Sequence, residues 1–349
     1  MSSDKNFCMS SYLAFRYIED DSKEFFDGLK HQRVRLVSDA EKTFVETSDD
    51  IDRAIGSQME QLSGKKRVFC SPAGMDSAIL ASYMANCDAY TFRFSGGKYQ
   101  KEELARAEYY ADYYKLNLHY VDIDWASVEN SIDRLMKKKG APVHSIEPQI
   151  YTAAKQAEAD GIELMIIGDG SDYIFGGMDK LLSKDWKYDE FVRRYTYIDP
   201  EDVLVEPVSM SYLYDRYKTG DNEIDYMAFL DVISTEESFG SYSNAFDAAE
   251  MDYYDPYERL ALSVPLDLSR IRSGESKYLI RELFRKKYPE IPVPEKLPMP
   301  RPVDEYFKNW SGSVRSEFKQ NLDMSVFSGN QKWQLWCLER FLNLYEKDK

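Results

Sequence analysis

The chain has 349 residues, 43% hydrophobic and 30% charged, with 45 basic against 61 acidic side chains and a formal net charge of −16. That balance disfavours nucleic-acid partners, whose binding draws on lysine and arginine neutralising phosphates. No stretch approaches the roughly 18 apolar residues of a membrane helix, and the first residues lack a basic-then-apolar pattern, so no membrane association and a cytoplasmic location are expected. The four cysteines form no CxxC pair and the three histidines no metal-ligand spacing, which argues against a disulfide framework or a zinc site.

In chain order, residues 1–45 read as a short β-rich lead-in. Ser11 to Ile18 has strand composition, and Arg33 to Val37 alternates. A helix is expected from Asp49 or Asp50 to about Leu62. Residues 46–180 then alternate strands, at 67–70, 89–94, 118–122 and 163–167, with helices at 77–86, 102–115, 125–139 and 148–159. The helix over 102–115 carries Leu104, Ala107, Ala111 and Tyr114 on one face, and Gly140 is placed to cap the helix before it. This order predicts a parallel sheet covered on both faces. After Gly177 the strand signals fade. Residues 181–349 read as mostly helical, interrupted by an extended Pro-rich loop over 292–302. The expected fold class is therefore α/β: a parallel sheet flanked by helices, a short β-rich N-terminal segment and a mostly helical C-terminal part.

In open α/β sheets ligands bind beyond the C-terminal ends of the strands, and two loops stand out at that edge. The first is Ser71-Pro72-Ala73-Gly74-Met75-Asp76-Ser77, after the strand that ends at Cys70. Small residues before a helix let backbone N–H groups approach an anion. An ordinary turn is the competing reading, with Asp76 either a magnesium ligand or a helix cap. It is not a Walker A loop, which needs GxxxxGK[ST]. The second loop, Gly168-Asp169-Gly170-Ser171-Asp172, places two acids among glycines at the end of a buried strand, more charge than a structural turn needs. Ser95-Gly96-Gly97-Lys98 looks like a phosphate loop, but no Ser or Thr follows it, and it is read as a plain connection.

Together the two loops resemble the SGGxDS and GEGSDExFGGY segments of the asparagine synthetase and β-lactam synthetase family, whose synthetase domain has the Rossmann-like ATP pyrophosphatase fold. Here they read Pro72-Ala73-Gly74-Met75-Asp76-Ser77 and Gly168 to Met178. Ala249 to Asp255 is similar to the family's VEARxPFLD segment, Lys277 to Phe284 to its KxxLRxxF helix, and Lys296 stands where its catalytic lysine follows. The resemblance spans roughly residues 45 to 310. It departs at Pro72 and Ala73, where the family has Ser and Gly, at Asp169 for Glu, and at Tyr173 for Glu. No glutaminase domain is expected, since the family's needs a cysteine at the chain start and residue 2 here is serine.

The resemblance implies an AMP-forming amide ligase with ATP and Mg²⁺ as cofactors. Its substrates would be a small-molecule or peptide carboxylate and ammonia or an amine, the ammonia free or supplied by a separate glutaminase; homo-oligomerisation is left open. Pyrophosphate would be held at Ser71, Ala73, Gly74 and Ser77, and magnesium by Asp76 and Asp172. The adenine would lie near Cys70, Phe94 and Gly168. Lys296 would offset charge at the α-phosphate and acyl oxygen, and Asp169 with Glu250 would handle the proton of the amine. Lys277 is either a phosphate contact or a lysine on a helix surface. Two alternatives remain: sulfur transfer through the same adenylation, for which Cys70 is the nearest thiol, and a nucleotide-binding protein without catalysis. The segment Pro142 to Pro148 stands where the family binds its acid substrate and does not match the aspartate pattern.

Overall fold

The computed structural model describes residues 2–34, 36–70, 74–95, 100–296 and 301–346. The first helix, α1 (Lys5–Phe15), is capped by Asp4, whose carboxylate accepts from Phe7 N at 3.1 Å. This corrects the β-rich lead-in: Ser11 to Phe15 are helical, and Arg33, Val34, Leu36 and Val37 lie in no strand. Every residue of α1 from Phe7 to Phe15 is buried. A helix buried all round has no polar face, so its sequence lacks the three-to-four periodicity that marks a surface helix. The tyrosine and phenylalanine that fill the core around it then read as strand composition.

Next come β1 (Thr43–Val45), α2 (Ser48–Gln61), β2 (Arg67–Cys70), α3 (Met75–Ala81), β3 (Asp88–Phe94), α4 (Gln100–Tyr114), β4 (Asn117–Ile123), α5 (Trp125–Lys139), α6 (Glu147–Ala159), β5 (Leu164–Ile166) and α7 (Ser171–Ile174). Helix α5 stops at Gly140, as expected, with φ +67. Any side chain there would also meet Lys30 O at 2.0 Å. The alternation expected over 46–180 is therefore present, with shifts of a few residues at element ends. Helix α3 is shorter than the expected 77–86.

The C-terminal part adds α8 (Tyr226–Ala249), β6 (Tyr253–Tyr254), β7 (Leu260–Leu262), α9 (Tyr278–Lys287) and α10 (Gly329–Tyr345), with shorter helices between. Two of these strands are too short to show a pattern. Yet β6 pairs in parallel with β5 and becomes the edge of the main sheet, whose order is β6-β5-β2-β3-β4, all parallel. Strand β7 pairs in parallel with β1 outside that sheet. Strand β2 sits centrally, and its Val68 and Phe69 are fully buried, as are Met165 and Ile166 of β5. Such unbroken apolar runs belong to a sheet covered on both faces. Among the described residues no helix is long and apolar enough to cross a membrane.

Candidate active site

A cavity of about 290 Å³ opens at the C-terminal ends of β2, β3 and β5. The two loops expected there meet in it, and a hydrogen bond joins them. The Ser171 hydroxyl, at the start of α7, donates to Asp76 Oδ1 in the first turn of α3 at 2.8 Å. The backbone carbonyl of Asp76 accepts from the Tyr257 hydroxyl at 2.9 Å, which fixes where α3 begins.

Lys277 lies between the acids of the two loops. Its Nζ is 2.5 Å from Asp76 Oδ2 and 2.6 Å from Asp172 Oδ1, and its side chain is only 6% exposed. Burial alone would lower its pKa, but Asp76 and Asp172 outweigh burial and raise it. The backbone of Lys277 is left-handed, at φ 52. That conformation costs an ordinary residue about 1–3 kcal/mol, and it puts this lysine just before α9 with its ammonium in the cavity. Of the two readings left open for Lys277, the helix-surface one is overturned. Lys296 reaches the same carboxylate from the other side, with Nζ 2.9 Å from Asp172 Oδ1 and 3.0 Å from Gly177 O. It stays half exposed toward the cavity. Burial pushes the Asp172 carboxyl up, but Lys277 and Lys296 pull it below its ordinary value, so it is ionised.

The glycines of the second loop have steric reasons. A Cβ on Gly177 would fall 2.0 Å from Asp172 Oδ1 and 2.3 Å from Lys277 Cε. One on Gly170 would fall 2.8 Å from Glu258 N. Gly170 N donates instead to Asp255 Oδ2 at 2.7 Å.

Asp169 lines the cavity and accepts from the Ser238 hydroxyl at 2.7 Å. Burial pushes its carboxyl up to about 8; the Ser238 hydrogen bond pulls down, while Asp255, Asp172 and Glu237 push up further. A carboxyl in that range gains and loses a proton near neutral pH. Cys70, Gly74, Ser77 and Gly168 also line the cavity. Ser71 and Ala73, with Pro72, lie outside the described residues, as do Gly96 to Lys98.

Two expected site residues lie elsewhere. Glu250 caps the C-terminal end of α8 at φ 61, with its side chain 77% exposed and 3.1 Å from Arg134. It precedes β6, whereas the cavity lies beyond the strands' C-terminal ends. The acid that follows β6 is Asp255, buried, with its carboxylate held by Gly170 N, Tyr257 N and Glu258 N. Burial pushes it up to about 7. Phe94 is buried in β3 and does not line the cavity, whereas Phe92, on the same face of the strand, does. The Cys70 thiol is buried, which pushes it up to about 12. It is therefore protonated and a poor nucleophile.

Sequence reasoning missed Glu103 of α4, which lines the cavity, its Oε2 enclosed and without a hydrogen-bond partner among the described residues. Burial pushes its carboxyl up to about 7. It sits on a helix whose other acids are exposed, so nothing local distinguishes it. Among the described residues no group of three or more His, Cys, Asp or Glu could hold a metal ion alone.

The asparagine synthase family model matches residues 53–246, more than half of the chain, and the chain belongs to that family of ATP-dependent synthetases. A Methanocaldococcus jannaschii protein named as a glutamine-hydrolysing asparagine synthetase is 26% identical over 172 residues. The match covers 46% of this chain and 30% of that relative, so the chain spans less than a third of its length. Among solved structures, NMN synthetase from Francisella tularensis matches with a TM-score of 0.29 and 9% identity, over 73% of this chain and 99% of that one. The U34-tRNA thiolase NcsA from Methanococcus maripaludis matches with a TM-score of 0.28 and 11% identity, over 71% and 82%.

Proposed function

We propose that this chain is an ATP-dependent, AMP-forming amide ligase. A substrate carboxylate attacks the α-phosphorus of ATP and expels pyrophosphate. Ammonia or an amine then attacks the acyl-adenylate, expels AMP and loses one proton. The observation that carries this reading is the pair of lysines, Lys277 and Lys296, converging on Asp172 at the strand ends, with Asp76 locked beside them through Ser171. Two fixed cations suit a triphosphate whose charge moves from the α–β bridge onto a leaving pyrophosphate.

In this reading Lys277 is the buried phosphate contact. Lys296, exposed to the cavity, is the cation that follows the α-phosphate and the acyl oxygen. Gly74 and Ser77 at the start of α3 offer N–H and hydroxyl donors to pyrophosphate. Cys70 and Gly168 flank the adenine, with Phe92 in the place expected for Phe94. Asp76 and Asp172 are two carboxylates facing one phosphate site. That donor set fits Mg²⁺, which takes one or two carboxylates and completes its shell with phosphate oxygens and water. Bound there, the ion would neutralise phosphate charge. Asp169, near 8 and paired with no cation of the described residues, is the group placed to take the proton from the attacking amine.

The test is acid-dependent release of pyrophosphate and AMP in equal amounts from ATP and magnesium, over a panel of carboxylic acids with ammonium present. Nucleotide binding without release for any acid would leave a binding protein. Release of ADP and phosphate would refute the adenylation.

A further inference from the structure

The buried face of α4 is Glu103, Ala107, Tyr110 and Ala111, spaced at the three- and four-residue steps that line up on one side of a helix. Three of the four are what a packed stripe needs. The first is an acid, and it is only 8% exposed. Packing gives no reason for a carboxyl there, since an apolar side chain of similar size would fill the same space. Glu103 Oε2 is enclosed and has no hydrogen-bond partner among the described residues. A buried acceptor without a donor loses its hydration and gains nothing for it. The cation whose charge bears on Glu103 is Arg106. That guanidinium is already committed, donating to Glu102 Oε1 at 2.8 Å and to Glu295 O at 2.9 Å. Glu103 lines the cavity, so a bound molecule can supply the donor that the fold withholds.

The place of α4 in the fold says which part of a bound molecule that is. Asp76 and Asp172, with the lysines between them, stand on the loops after β2 and β5. Strand β3 flanks β2 on the side away from β5, and α4 follows β3 and packs against it. Glu103 thus approaches the cavity from the β3 side. Phe92 of β3 and Cys70 of β2 also line the cavity. A carboxyl repels a phosphate, so this side suits an uncharged donor on an apolar, flat group.

We infer that Glu103 accepts a hydrogen bond from the exocyclic 6-amino group of adenine and so selects the base of the nucleotide. This rests on the reading under Proposed function, in which Cys70 and Phe92 flank the adenine. The carboxyl offers an acceptor whether it is protonated or ionised, so the contact does not depend on its charge state. A site built to bind a substrate N–H rejects the analogue that lacks it, because the buried acceptor is then left unpaired.

Calorimetric binding to the full chain tests this, with MgATP against the magnesium complex of purine riboside 5′-triphosphate, which is ATP without its 6-amino group. Wild type, Glu103→Gln and Glu103→Met are compared, and 3′-deoxy-ATP probes the ribose. Wild type should bind MgATP about 10- to 100-fold more tightly than the deamino analogue. Glu103→Gln keeps a carbonyl acceptor and should keep part of that preference. In Glu103→Met the two nucleotides should bind within about threefold of each other. Without nucleotide, Glu103→Met should unfold at the wild-type temperature or higher, because it removes an unpartnered buried acid. Equal affinity of wild type for the two nucleotides overturns the inference, whatever the variants do. So does a full preference for ATP in Glu103→Met, which would assign the amine to another group. Unfolding of Glu103→Met several degrees lower overturns it as well, by showing that the carboxyl has a partner within the fold. If 3′-deoxy-ATP binds wild type more weakly than ATP and Glu103→Met erases that difference, the carboxyl belongs to the ribose and the inference falls. Failure of every nucleotide to bind wild type would sink the ligase reading together with this one, whereas ATP binding without preference for the amine sinks this one alone.

Discussion

Lys296 and Gly177 touch the same carboxylate and should fail in different ways. The Lys296 side chain is half exposed, so Lys296→Ala should leave the thermal midpoint nearly unchanged, within about 0.5 kcal/mol. If the lysine follows charge in the transition state, acid-dependent pyrophosphate release should fall about 10²- to 10³-fold in kcat. Gly177→Ala would push a methyl group into Asp172 and Lys277. It should cost about 1–3 kcal/mol in denaturant unfolding and lose pyrophosphate release as well. Asp169 makes a pH prediction. Its carboxyl rises from an ordinary 3.8 to about 8 in the fold, so between those values the native state binds a proton that the unfolded chain does not. Its contribution to stability is full below pH 3.8 and is lost as pH rises through 8. Asp169→Asn cannot ionise, so its stability relative to wild type should climb from pH 4 to pH 8. A difference that is flat with pH in urea titrations would contradict the buried, proton-exchanging Asp169.

Among the elements, three helices meet at one buried ion pair that sets the 142–148 segment. Lys139, the last residue of α5, is 2.7 Å from Glu147, the first residue of α6. Glu147 also accepts from His144 N at 2.8 Å and from Asn244 Nδ2 of α8 at 2.6 Å. Lys139→Met leaves that carboxylate buried without its cation and should cost about 3–5 kcal/mol, most of it recovered in Lys139→Met/Glu147→Leu. Denaturant midpoints of the two variants check this. Elements with a surface face or a cap were legible before any fold was known. The stop of α5 at Gly140, the β2–α3 junction and the Gly168–Asp172 loop each follow from local chemistry. Helix α1 was not legible, because complete burial erased its period. Nor was β6, two residues long, whose place depends on the exposed edge of β5. The resemblance pointed to Glu250, and without β6 nothing local shows that Asp255, after that strand, is the acid at the sheet's ligand-binding edge.

At the scale of the whole molecule, the net charge of −16 surrounds a site proposed to admit a triphosphate and an acid. Repulsion of anionic substrates by the distant surface is screened as salt rises, whereas the buried pairs to Lys277 are screened much less. Raising ionic strength from roughly 20 to 200 mM should therefore increase kcat/KM for MgATP modestly, up to a fewfold, before specific salt effects set in. A steady fall over that range would mean that a local positive field governs entry instead.

The residue order by itself determined the parallel α/β core, the two loops at its ligand-binding edge and the kinship with asparagine synthetases, because turns, caps and strand runs are written in neighbouring residues. Only the tertiary structure decided how the charges pair. Lys277 and Asp76 are 201 positions apart and Lys296 and Asp172 are 124 apart; the packing of α9 on α3, and the return of the chain after α9 to the loop that holds Asp172, bring them within hydrogen-bond reach. The same packing turned Glu250 out to solvent. Burial and pairing belong to the assembled chain, since a side chain's charge is local but its surroundings are not.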